Sequence, residues 1–187
     1  EIPVNLQVYK SKSFEPFSWY NTLKDKKANF ATVGTIGLNG KSLFQKLSLY
    51  IRANFFIPDA RKGWNKFAIK KAKEIIKEHK IAAMISTGPP QSSHLIALEL
   101  KNQFSLPWIA DLRDPWTTVF YNDFFPRSNK TKMKDKALED LVIKSADAVT
   151  VVSNGMVNEF ANRSKDISLI YNGFDETDFV RTKKIKN

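Results

Sequence analysis

The rhythm of apolar and polar positions changes near residue 80. Beyond it, short apolar runs alternate with longer segments of helical period. Ile81 to Ser86 (IAAMIS), Leu106 to Asp111 (LPWIAD), Ala148 to Val152 (AVTVV) and Ile167 to Ile170 (ISLI) are too short for helices, and each predicts a strand. Ser92 or Ser93 opens a helix running to about Phe104. A second helix spans about Lys132 to Ser145, and Ser153 caps a third that carries Met156, Val157 and Phe160. Such alternation predicts an α/β fold with a parallel sheet, flanking helices and right-handed crossovers.

Upstream the pattern is less regular. Leu6 to Tyr9 alternates weakly and predicts a strand, one that no turn or helix precedes, as though the chain began in mid-fold. Residues 11 to 30 are aromatic and irregular. Leu43 to Phe56 has helical period and is stopped by Pro58; its mixture of aromatic, aliphatic and basic residues suits a membrane surface or, more commonly, packing on a sheet. A further helix runs from about Trp64 to Lys80, with Trp64, Phe67, Ala68, Ala72, Ile75 and Ile76 on one side and lysines on the other.

In a parallel sheet every strand-to-helix junction lies at the carboxyl edge, where ligands bind in open α/β folds. Three junctions here are polar: STGPPQSSH, DLRDPW and VSNG. The middle one is the most charged, since the strand ending at Asp111 delivers Arg113 and Asp114 to that edge. An Arg–Asp pair that merely locks a loop is the plainer expectation. In the first junction Gly88 permits close backbone approach, while Pro89 and Pro90 remove two amide donors. Ser86, Thr87, Ser92 and His94 complete its polar set, and Ser153 and Asn154 supply that of the third.

The glycine stretch ATVGTIGLNGKS imitates a phosphate loop without its spacing. Gly40-Lys41-Ser42 is present, but the glycine required five residues earlier is displaced to Gly34, and Thr35 stands in its place. A surface loop is expected.

Composition narrows the chemistry. The 187 residues contain no cysteine and two histidines, which excludes a disulfide framework and makes thiolate or histidine metal centres poor expectations. The missing cysteine fits a reducing, cytoplasmic setting. A net charge of +11 calls for an anionic partner. The excess is concentrated: residues 61 to 80 hold eight basic side chains and two acidic ones, and Arg181 to Lys186 holds four basic ones.

STGPPQSSHLIALELK, LPWIADLRDPW, ADAVTVVSNGM and ISLIYNGFDETDF, in that order, resemble the amino-terminal, acceptor-side domain of bacterial family 4 glycosyltransferases of the GT-B fold. IPDARKGW is similar as well, and the likeness covers about Phe14 to Phe179. It implies a Rossmann-like domain over residues 1–187, a fragment lacking its first strand–helix unit and its second domain. Residues 172–187, with Asn172 and Gly173 in the NGFD segment, would begin the interdomain linker. Where many relatives carry a histidine after the DLRDPW strand, this chain has Arg113.

The resemblance further implies a retaining sugar transfer from a nucleotide-sugar donor to an acceptor glycan or lipid-linked acceptor, with no metal and no cofactor beyond the donor substrate. Arg113 and Asp114 would orient hydroxyls at the reacting centre. Ser86, Thr87, Gly88, Ser92, His94, Asp111, Ser153, Asn154, Asn172 and Gly173 would bind substrate. The missing carboxyl-terminal domain of the same chain would hold the nucleotide, so the fragment alone would be inactive. Peripheral contact with the inner membrane would account for the basic excess. Two other classes fit parts of the sequence: a non-enzymatic α/β ligand-binding domain, and a basic nucleic-acid-binding module. The second lacks a basic recognition helix and stacking aromatic strands, so no nucleic acid is expected as partner.

Overall fold

The computed structural model describes residues 6–14 and 43–175. Among the described residues four parallel strands form one sheet in sequential order: β1 (Met84–Gly88), β2 (Trp108–Leu112), β3 (Ala148–Val151) and β4 (Ile167–Leu169). The helices are α1 (Leu43–Phe55), α2 (Asn65–Glu78), α3 (Ser92–Phe104), α4 (Asn129–Ser145) and α5 (Asn154–Phe160), with 3₁₀ turns at Ala60–Trp64 and Phe120–Phe124. The fold is α/β and Rossmann-like. Among the described residues no helix is long and apolar enough to cross a membrane.

Sequential order has a consequence for coverage. Right-handed crossovers that always step the same way put every connecting helix on the same face. The core accordingly lies there: Trp108, Ala110 and Leu112 of β2 and Val149 and Val151 of β3 pack against Ala97 and Leu98 of α3, Val142 and Ile143 of α4, and Met156 and Phe160 of α5. The opposite face carries Thr87, Asp111, Thr150 and Ser168 in one row across the strands, all exposed or half-buried. Beside this row Ile85 of β1 is 70 % exposed.

Several boundaries move for identifiable reasons. Leu6 to Tyr9, expected as a strand, is irregular: Tyr9 leaves the sheet alone and packs by α2, its hydroxyl 3.1 Å from His79 Nε2. The run from Ile81 begins to pair only at Met84, whose N–H donates to the Pro107 carbonyl. Pro107 has no N–H to give the neighbouring strand, so β2 starts at Trp108, two residues after the expected Leu106. Helix α4 starts at Asn129, not Lys132, because Ser128 accepts a hydrogen bond from the Thr131 N–H and caps it. Ser153 caps α5 as expected, accepting from the Met156 N–H.

The opening of α3 is a correction. Neither Ser92 nor Ser93 caps it; Gln91 holds the cap position and makes no side-chain cap bond. The cap comes from outside the segment. Asp59 accepts from the Ser92 N–H at 2.7 Å and from Ser92 Oγ at 2.8 Å, placing a carboxylate at the positive end of the helix. The loop of Gly34 to Ser42 and the linker beyond residue 175 lie outside the described residues.

Candidate functional site at the carboxyl edge of the sheet

Arg113 follows β2 directly, and the ends of three segments meet on it. Its N–H donates to the Gly88 carbonyl at 3.0 Å, so the chain leaving β2 stays tied to the end of β1. Its guanidinium Nη2 donates to Asn172 Oδ1, in the segment that leaves β4. Arg113 is exposed, and no ion pair joins it to Asp114 among the described residues, so the locked Arg–Asp pair is not what is observed. Asp114 is half-buried beside Tyr121, whose phenol is held above its ordinary range by burial first and then by the Asp114 charge.

Behind this rim the first junction is packed solid. Ser86 and His94 are buried, with Ser86 Oγ and His94 Nδ1 2.7 Å apart, and Trp108 Nε1 donates to Ser86 Oγ at 2.9 Å. The His94 ring also stacks on Trp116, centroids 6.1 Å apart. Burial lowers the His94 pKa to about 4, the nearby Asp111 carboxylate pulling the other way, so the ring is neutral at pH 7. Gly88 is needed for this packing: a Cβ there would lie 2.4 Å from His94 Nε2 and 2.6 Å from Gln91 Oε1. The close approach expected at Gly88 is thus made by the chain's own side chains.

The long loop after β2 is anchored from α4. Asp135 and Glu139, one helical turn apart on its buried face, reach up to it. Trp116 Nε1 donates to Asp135 at 2.9 Å, and Arg127 pairs with Asp135 at 2.7 Å. Burial raises the Asp135 carboxyl above its ordinary range against the pull of Trp116 and Arg127. Glu139, fully buried, accepts from Thr117 N and Oγ1, Lys136 and Arg163. These groups fix the backbone from which Arg113 and Asp114 project.

The remaining expected site residues divide by exposure. Thr87 is exposed, and its carbonyl accepts from Ser93 Oγ. Asp111 is half-buried on the open face of the sheet and accepts from Thr150 Oγ1 at 2.7 Å. Ser153, Asn154, Asn172 and Gly173 are exposed at the same edge, Ser153 with its oxygen engaged in capping. Gly88, Arg113 and Asn172 are brought into direct contact. Ser86, Ser92 and His94 lie beneath the surface, where they hold the loop. The rim therefore offers a guanidinium, a carboxylate, a carboxamide and hydroxyls, a set suited to a hydroxylated and anionic small molecule. Among the described residues no group of three His, Asp or Glu side chains could hold a metal ion.

Four supporting residues escape sequence reasoning: Asp59, Gln91, Asp135 and Glu139. The last pair had a readable signal, two acids at i and i+4 in an otherwise lysine-rich helix, on the side that also carries Val142. Asp59 had none, because its partner lies 33 residues away. The chain matches no protein-family model, no curated protein and no solved structure.

Proposed function

We propose that this chain is the acceptor-side domain of a retaining glycosyltransferase of the GT-B type, and that the rim around Arg113 orients sugar hydroxyls and the phosphates of a nucleotide-sugar. The observation that carries the reading is the convergence of Gly88, Arg113 and Asn172, from three segments whose sequence resembles that family, on one exposed cation. A guanidinium supplies donors at fixed angles to phosphate or vicinal hydroxyls, and the Asp114 carboxylate accepts from a hydroxyl beside it. The residues beneath keep the rim rigid, as differential stabilisation of a transition state requires.

The test is titration of the isotope-labelled chain with a panel of nucleotide-sugars and short glycans. Shifts confined to Gly88, Arg113, Asn172 and Gly173 support the reading. No shift at millimolar ligand, or shifts elsewhere, would refute it.

A further inference from the structure

Helix α1 carries an apolar stripe that stands open among the described residues. Leu43, Leu47, Tyr50 and Ile51 recur at i, i+4, i+7 and i+8, with Phe55 one turn on, and all five are exposed; Leu43 and Phe55 reach 85 % and 69 %. The helix is held at its far end instead. Ala53 is buried, and the Asn54 side chain donates to the Pro126 carbonyl at 2.8 Å and accepts from Ser128 N–H and Thr131 Oγ1. The first turns are thus presented outward from an anchored base.

The charges around the stripe say what it meets. At about 100° per residue, Lys46 falls on one border of the stripe and Arg52 on the other. Helix α1 contains no acidic residue. Residues 43 to 80 together hold ten basic side chains and three acids, most of the chain's excess of +11. They include Lys66, Lys70, Lys73 and Lys77 at helical spacing on α2. A second copy docking through this face would set one cationic border against another. An anionic bilayer does the opposite: it draws the basic segment in, accepts the apolar stripe at the acyl boundary, and lets the bordering Lys46 reach the phosphates.

We infer that α1 is an interfacial helix that docks this protein on anionic membrane, with Leu43, Leu47, Tyr50, Ile51 and Phe55 entering the headgroup boundary. The inference is independent of the glycosyl reading, since docking needs no substrate. It is tested by flotation of the chain with phosphatidylcholine vesicles, with and without phosphatidylglycerol. Binding is expected only with the anionic lipid and weakens as salt is raised. The double substitution Leu47→Glu with Ile51→Glu, at exposed positions that leave the melting temperature unchanged, is expected to weaken binding roughly tenfold or more. A Leu47→Trp reporter should shift its emission to the blue on the same vesicles. The inference is overturned by absent binding at low salt, by binding that ignores the double substitution, by preference for duplex DNA, or by self-association that the double substitution abolishes.

Discussion

Ser86 and His94 form a buried hydrogen-bonded pair that ties β1 to the first turn of α3. Ser86 Oγ accepts from Trp108 Nε1 at 2.9 Å and lies 2.7 Å from His94 Nδ1. His94 Nε2 is turned toward Gly88, where neither it nor Gln91 Oε1 has a partner among the described residues. The pair roots the first edge loop in the core, and its cost is a histidine that cannot ionise in place.

That cost has a pH signature. The His94 pKa is lowered from 6.5 to about 4 in the folded chain, so below pH 6.5 the unfolded chain takes up a proton that the folded one refuses. The contribution is complete above pH 6.5 and is lost as pH falls toward 4, roughly 2–3 kcal/mol over the interval. Urea unfolding at pH 7.5 and 4.5 should show this loss in the wild type beyond that in His94→Gln. Equal losses in the two proteins would contradict a buried neutral ring.

Gly88→Ala should destabilise the fold by about 1–3 kcal/mol, the usual range for an overpacked site. The strain is specific, because the new methyl meets His94 Nε2 at 2.4 Å. Made in a His94→Ala background, the same substitution should cost at least ~1 kcal/mol less. Denaturant melts of the four-member cycle check this. Additive penalties would place the strain elsewhere.

The sheet was legible because each apolar run is short and bounded, and the runs from Ala148 and Ile167 became strands within a residue of their expected limits. That the described helices cover one face was not, since it depends on strand order, which no local pattern encodes. The site divided in the same way. Arg113 was legible as an exposed charge at a strand end, but its contact with Asn172 spans 59 residues. The burial of His94 was not legible, because a sequence cannot show that Ser86 and Trp108 would close over it. Leu6 to Tyr9 misled because weak alternation also suits an extended segment laid against a helix.

Glu139 tests the anchoring of the edge loop. Glu139→Ala leaves Arg163 with Asp140 and Glu159 only, and frees Thr117. The expected loss is about 2–3 kcal/mol, with faster amide exchange at Thr117 than in wild type under conditions where the core strands stay protected. A melt within about 0.5 kcal/mol of wild type would remove the clamp from the account.

Arg113→Ala offers the most direct measurement on the proposed function. Sugar transfer by the full-length protein is compared with thermal melts of the same samples. Arg113 is exposed, so the melting temperature should stay within about 2 °C. Turnover should fall by roughly ten- to a thousand-fold, the scale of losing one or two oriented charged contacts in a transition state. A folded Arg113→Ala protein that transfers sugar at the wild-type rate, or an intact wild type that transfers none, would contradict the proposed role of this rim.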